Sequence, residues 1–179
     1  VNSFRFLRIL SLMLFAFYLQ ACKQAPYVYS TVTDVIGEQA LKADVKSPET
    51  APPESGFPVI LLIHGGGWGT HTLYDDGLQT TLERVAVNYV GVTINYRLTD
   101  QRLNEQGEID REGAITRNPW PAQIHDAKCA VSWIRANADN VDIFPVKINT
   151  DKIGVAGISA GGQLALMLGE TSGTSLFGP

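Results

Sequence analysis

One serine in this chain stands in a sequence context that can present its hydroxyl as a nucleophile. Residues 157–161 read Gly-Ile-Ser-Ala-Gly, with an apolar run before them at 153–156 and a helix-prone run after them. A serine held in a tight turn between a strand and a helix projects its hydroxyl away from the backbone. We therefore predict covalent catalysis by Ser159. Gly157 and Gly161 are expected because side chains there would collide with the adjoining strand and helix.

A glycine-rich segment upstream supplies the second part of such chemistry. Residues 64–67 read His-Gly-Gly-Gly and come directly after the apolar run 58–63. When a carbonyl carbon is attacked, negative charge develops on its oxygen, and backbone N–H groups stabilise that charge if no side chain obstructs them. We therefore predict an oxyanion hole formed by the backbone N–H groups of Gly66, Gly67 and Ala160.

Together the two motifs resemble those of the hormone-sensitive-lipase-like carboxylesterases of the α/β-hydrolase superfamily. The similarity runs from about residue 28 to residue 169 and includes a Tyr-Arg-Leu segment at 96–98 and Asp126. It implies the α/β-hydrolase fold, with a mostly parallel sheet and helices on both faces, and an acyl-enzyme on Ser159 that needs no cofactor. It also implies that His64 orders the glycine loop through hydrogen bonds and is not the general base.

The other catalytic groups of this fold are expected beyond the end of the sequence. The fold supplies its triad in the order serine, acid, histidine, but twenty residues follow Ser159 and the three histidines, His64, His71 and His125, all precede it. Single-domain α/β enzymes commonly run to about 200–250 residues. We therefore expect residues 22–179 to be the N-terminal part of one α/β-hydrolase domain whose C-terminal strands and helices are missing.

The amino terminus has the features of an export signal. Two arginines precede an apolar run at 9–19, which is shorter than the roughly 20 apolar residues that span a bilayer. Residues 19–22 read Leu-Gln-Ala-Cys and resemble a bacterial lipobox. We expect residues 1–21 to be a lipoprotein signal peptide and Cys22 to anchor the exported protein to a bacterial membrane, facing the periplasm or the outside. The alternative is a plain secretory signal with an incidental cysteine.

Composition narrows the class of partner. The formal net charge is −4, whereas proteins that bind nucleic acids usually have an excess of basic residues, so nucleic-acid binding is not expected. No cluster of His, Cys or acidic residues has the spacing of metal ligands, so no metal is expected. The expected substrate is a small-molecule, carbohydrate or lipid ester, and the expected membrane contact is the lipid on Cys22. With that cysteine lipidated, Cys129 has no disulfide partner and is predicted to be a small buried residue in a helix.

Hydrophobic periodicity predicts the elements that position these residues. Four strands are predicted upstream of the serine motif, at 27–36, 40–45, 59–63 and 90–96. Apolar residues recur at helical spacing from Leu78 to Tyr89, so a strand–helix–strand unit with parallel pairing is expected. A further helix is predicted from Pro121 to about Asn137. Within it His125 is expected on the surface and Asp126 in a structural role, since helical neighbours point about 100° apart and cannot relay a proton along one line.

Two questions stay open at this level. The charged segment 99–118 leaves the end of a strand where α/β folds bind ligands, so it either shapes the substrate entrance or is a solvated loop. Two alternatives to ester hydrolysis also stay open. The protein could be a prolyl-oligopeptidase-like peptidase, although the triple glycine disfavours this, or it could be a catalytically dead fragment or binding remnant of the hydrolase fold.

Overall fold

The computed structural model describes residues 26–34, 37–69, 73–99 and 118–173. The predicted signal peptide, Cys22, His71 and residues 100–117 lie outside these ranges. The described elements, in chain order, are β1 Tyr27–Asp34, β2 Gly37–Lys46, β3 Phe57–Ile63, α1 Asp76–Val85, β4 Val90–Ile94, α2 Ala122–Ala136, β5 Ile148–Gly157 and α3 Ala160–Glu170. Within the described ranges, no helix has the length and apolar character needed to cross a membrane.

The strands form one sheet in the order β1–β2–β4–β3–β5. β4, β3 and β5 run parallel, which confirms the pairing predicted from the strand–helix–strand order. The two strands predicted at 27–36 and 40–45 are β1 and β2, which form an antiparallel hairpin, and β2 joins β4 in antiparallel orientation. The described sheet is therefore mixed, and its parallel part carries both glycine motifs at the carboxyl ends of β3 and β5.

Helices cover both faces of the sheet, as predicted. On one face α1 packs Leu78 and Leu82 against Leu62 of β3. The larger core lies on the other face, beneath α2 and α3, and includes Leu61, Ile63, Ile124 and Leu164. A parallel strand between two helix layers is buried on both sides, which explains why β3 is an apolar run without alternation.

The first helix is shorter than its periodicity predicts. α1 ends at Val85, so Tyr89, predicted on its apolar face, lies beyond the helix and is 41% exposed. The N–H groups of Asn88 and Tyr89 both donate to the Val85 carbonyl and close a turn. This turn directs the chain into β4, whose first residue, Val90, is buried. The requirement to enter the sheet thus ended a helix that the apolar spacing alone would have continued.

The second helix has its predicted extent. α2 follows Pro121 and is capped by Asn137, with Ile124 buried and His125 exposed as expected. The prediction that Cys129 is buried was wrong. Its thiol is free, but the residue is only half-buried and packs against the edge of the core.

Asp126 anchors α2 to the chain that leaves β4. Its carboxylate accepts hydrogen bonds from the Arg97 backbone N–H at 2.8 Å, from Arg97 Nε at 2.9 Å and from Arg97 Nη2 at 2.6 Å. Asp126 is 2% exposed. Burial of a carboxylate costs free energy unless the group is paired and hydrogen-bonded, and these bonds supply that pairing. They confirm the structural role predicted for Asp126.

Candidate active site

Ser159 lies in a sharp turn between β5 and α3. β5 ends at Gly157, α3 begins at Ala160, and Ser159 has φ 52° and ψ −117°. A non-glycine residue in this conformation is strained, and such strain persists only where the surrounding structure enforces it. The residue is exposed. The predicted strand–serine–helix turn is confirmed, and it presents the serine at the surface of the described chain.

Close backbone contacts require the two glycines that flank Ser159. A Cβ atom at Gly157 would lie 2.2 Å from the carbonyl oxygen of Gly161. A Cβ atom at Gly161 would lie 2.2 Å from the carbonyl oxygen of Ile63 and 2.4 Å from that of His64. Both distances are far below any contact that a real Cβ atom makes. The steric reason predicted for these glycines is therefore confirmed, and it arises partly from β3, a separate strand.

Parallel pairing of β3 with β5 brings the glycine-rich segment beside the serine. The register aligns Ile63 with Gly157, and the Ile158 N–H donates to the Ile63 carbonyl at 3.2 Å. A Cβ atom built at Gly65 would lie 3.3 Å from Cβ of Ser159. Two motifs that are far apart in the sequence are thus in van der Waals contact.

The glycine loop turns through a run of positive φ angles. The values are 97° at Gly66, 57° at Gly67 and 63° at Trp68, and the turn is closed by the Gly69 N–H, which donates to the Gly66 carbonyl at 3.0 Å. Glycine adopts these angles without steric cost, whereas tryptophan does not. A run of residues in such a turn can direct successive N–H groups into one concave site, the arrangement that an anion requires.

The amino end of α3 adds a donor and a favourable dipole next to the serine. Ala160 is the first residue of the helix and is buried. N–H groups in the first turn of a helix have no partner within the helix. The helix dipole also places a partial positive charge of roughly +0.5 at this end. The structure thus brings Ser159, Ala160 and the glycine loop together.

His64 is buried against Tyr96. The two rings stack with centroids 4.3 Å apart and planes inclined by 13°. Nδ1 of His64 lies 2.8 Å from the carbonyl oxygen of Gly65, and because a carbonyl only accepts, the contact assigns the proton to Nδ1. Within the described ranges, which include His64 and His125, neither histidine is hydrogen-bonded to the Ser159 hydroxyl.

Tyr96 is a site residue that the sequence did not predict. It was predicted to end a strand, but β4 stops at Ile94, and Tyr96 lies in the following loop with 1% exposure. Its hydroxyl donates to the carbonyl oxygens of His64 and Gly65, at 3.2 Å each. Burial raises the pKa of Tyr96 to about 12, so the hydroxyl stays protonated at neutral pH. The sequence contained one signal for this residue, the Tyr-Arg-Leu similarity at 96–98. That similarity does not indicate that Tyr96 contacts the glycine loop.

A cavity of about 460 Å³ opens beside the glycine loop. Its lining is mostly apolar and comes from Trp68, Thr99, Trp120, Gln123, Gln163 and Met167. Gln163 and Met167 follow Ser159 by one and two turns of α3. Trp68 is held in place through its carbonyl, which accepts a hydrogen bond from the Thr99 N–H at 2.8 Å. The cavity therefore has the position and lining to hold the apolar part of a molecule that reacts at the serine.

The other polar groups of the described chain do not form a metal centre. No set of three or more His, Cys, Asp or Glu residues within the described ranges is placed to hold an ion. Asp126 forms an ion pair with Arg97, and His125 is exposed on α2.

Comparisons with known proteins identify the family of this chain and several relatives. The BD-FAE family model matches residues 43–178, which include both glycine motifs. Neutral cholesterol ester hydrolase 1 from Mus musculus is 30% identical over 164 residues, covering 90% of this chain and 35% of that protein. Esterase LipC from Mycobacterium tuberculosis is 30% identical over 122 residues, covering 67% of this chain and 25% of that protein. The chain thus spans about a third or less of the length of these relatives.

A solved structure shows the same relationship. The propionate-bound esterase Est2 from Thermogutta terrifontis superposes with a TM-score of 0.58 at 25% sequence identity, covering 79% of this chain and 43% of that one. This chain therefore belongs to the BD-FAE family and has an α/β-hydrolase fold.

Proposed function

We propose that this protein hydrolyses carboxylic esters through an acyl-enzyme on Ser159. The observation that carries the proposal is the strained, exposed serine turn, packed directly against a glycine loop with positive φ angles. In this proposal the N–H groups of Gly66, Gly67 and Ala160 form the oxyanion hole. The relatives include an esterase and a cholesterol ester hydrolase, and this supports the reaction class.

The proposed reaction has two steps. Ser159 Oγ attacks the ester carbonyl carbon, its proton passes to a general base, and the alcohol leaves with that proton. Water then attacks the acyl-enzyme, the acid is released and the serine regains its proton. The general base is expected to be a histidine that follows Ser159 in the full-length protein, as this fold orders its triad. His64 is assigned to the glycine loop, because it is buried and its Nδ1 faces the Gly65 carbonyl.

Covalent labelling tests this assignment. A fluorophosphonate should react with the full-length protein at Ser159, and hydrolysis of p-nitrophenyl butyrate should fall in proportion to the labelled fraction. Peptide mass spectrometry locates the label. A label on another residue, or full activity after complete labelling, would contradict the proposal. Faster cleavage of a prolyl p-nitroanilide than of esters would favour the peptidase alternative.

The cavity beside the glycine loop is proposed to hold the apolar part of the ester, with Met167 setting its depth. Met167→Trp should fill the cavity and lower kcat/KM for p-nitrophenyl octanoate relative to the acetate, whereas Met167→Ala should shift the preference towards longer chains. Each buried CH₂ contributes about 0.8 kcal/mol, or about fourfold in rate, so changes of about 10-fold or more in the octanoate-to-acetate ratio are expected. Equal chain-length profiles in both variants would exclude this role of the cavity.

We propose that the protein is exported and lipid-anchored at Cys22. The support is in the sequence alone, in the short apolar run and the Leu-Gln-Ala-Cys segment at 19–22. Expressed in a bacterium, the full-length protein should carry a diacylglyceryl group on Cys22 by mass spectrometry and fractionate with membranes. The Cys22→Ser variant should lose both properties. A mature chain that begins elsewhere without the lipid would overturn the proposal.

A further inference from the structure

We propose that Tyr96 is a positioning residue that aims the backbone N–H of Gly66 at the oxyanion. This inference rests on the proposed ester hydrolysis at Ser159 and adds a residue from outside the two glycine motifs. Tyr96 reaches the site from the loop after β4, on the side of the glycine loop that faces the core. It would act through the peptide that joins Gly65 to Gly66.

The carbonyl of Gly65 is held by two donors. The Tyr96 hydroxyl lies 3.2 Å from its oxygen, and Nδ1 of His64 lies 2.8 Å from the same oxygen. A backbone carbonyl has two lone pairs, so these two donors match its full accepting capacity. The same hydroxyl also lies 3.2 Å from the carbonyl oxygen of His64. Tyr96 therefore restrains two consecutive peptides of the loop.

The direction of this carbonyl decides the direction of the next N–H group. The peptide between Gly65 and Gly66 is trans, so its C=O and N–H bonds point in opposite directions. With the oxygen held towards Tyr96, the Gly66 N–H points away from the core. Both flanking residues are glycines, so no Cβ atom limits rotation of this peptide. The hydrogen bonds at the Gly65 oxygen therefore help to fix its orientation, together with the turn that the Gly69 N–H closes on the Gly66 carbonyl.

The donor itself is rigid. Tyr96 is 1% exposed, and its ring stacks on the ring of His64. The hydroxyl also keeps its proton, because burial raises the pKa of Tyr96 to about 12. A fixed donor behind the loop means that the Gly66 N–H needs no reorientation when charge develops on the substrate oxygen, which is the condition for effective stabilisation of a transition state.

Tyr96→Phe tests the role, since it removes the hydroxyl and keeps the ring that stacks on His64. In the full-length protein we expect kcat for p-nitrophenyl butyrate to fall about 10–100-fold, part of the 10²–10³-fold cost of losing one oxyanion donor. KM should stay within about twofold, because the aimed N–H acts on charge that exists in the transition state only. Binding of a trifluoromethyl ketone, whose adduct carries an oxyanion, should weaken by a similar factor.

Tyr29→Phe is the matched control. Tyr29 is also buried, at 6% exposure, and its hydroxyl donates to a backbone carbonyl, that of Asn95, at 2.6 Å. The substitution therefore removes the same kind of buried hydrogen bond at the same end of β4, but from the carbonyl of Asn95 and not from a carbonyl of the glycine loop. Its kcat should match the wild type. The concentration of active sites in each variant is measured by labelling Ser159 to completion with a fluorophosphonate. The rate is divided by this concentration, so that unfolded protein, which does not react, does not lower the measured kcat.

The outcomes separate this inference from the proposed function. A wild-type protein that hydrolyses no ester overturns the proposed function and this inference with it. In an active wild type, the positioning role is overturned if Tyr96→Phe keeps its kcat within about twofold, or if Tyr29→Phe loses as much as Tyr96→Phe does. A loss of kcat confined to Tyr96→Phe, with KM unchanged and weaker ketone binding, supports it.

Discussion

Replacing Ser159 by alanine in the full-length protein is expected to abolish ester hydrolysis, with kcat falling more than about 10⁴-fold. The substitution removes Oγ, the atom that attacks the carbonyl, and leaves a side chain that occupies the same turn. Because the residue is exposed and its strain lies in the backbone, the fold should persist. Initial rates with p-nitrophenyl butyrate measure the loss, and a urea titration verifies that the variant is folded.

Ser132→Ala provides the control for this experiment. Ser132 is an exposed serine on α2, and its replacement should leave both kcat and the urea midpoint unchanged. A Ser159→Ala protein that keeps more than about a hundredth of the wild-type kcat would show that another group attacks the ester. That result would refute the acyl-enzyme on Ser159.

Gly161→Ala is expected to disrupt the serine turn and to destabilise the protein by more than about 3 kcal/mol. The new Cβ atom would lie 2.2 Å from the carbonyl oxygen of Ile63 and 2.4 Å from that of His64. Both contacts are with backbone, which no rotamer change relieves. α3 would therefore have to move away from β3, and the serine would move away from the glycine loop. Urea unfolding measures the first effect and kcat the second.

Gly169→Ala is the control for Gly161→Ala. It gives the effect of replacing glycine by alanine on helix propensity without the clash that occurs at Gly161. Gly169 lies in the same helix, and a Cβ atom there would meet nothing within 4 Å. Gly169→Ala should therefore stabilise the protein by about 0.5–1 kcal/mol through helix propensity, with kcat unchanged. If Gly161→Ala proved as stable as Gly169→Ala, the close packing of the serine turn on β3 would be wrong.

Much of the fold was predictable because its cause is local. The apolar run of β3 and the helical spacing of α2 each reflect one element that packs against neighbours, so both elements follow from periodicity, although β3 begins at Phe57, two residues before its predicted start. The end of α1 was not predictable in this way. Apolar spacing continues to Tyr89, but the chain must turn after Val85 to bring Val90 into the sheet.

In the candidate site, the positions that need glycine and the hydroxyl that they surround were predictable from the sequence, because a tight turn at Ser159 has a local steric signature. The contacts that surround this turn were not predictable, because they come from other strands and loops. Tyr96 reaches carbonyls about thirty residues earlier, and Gly161 meets Ile63, because β3 lies between β4 and β5 in the sheet. Strand order depends on the free energy of the whole core and leaves no short motif in the sequence, so these contacts could be found only in the folded chain.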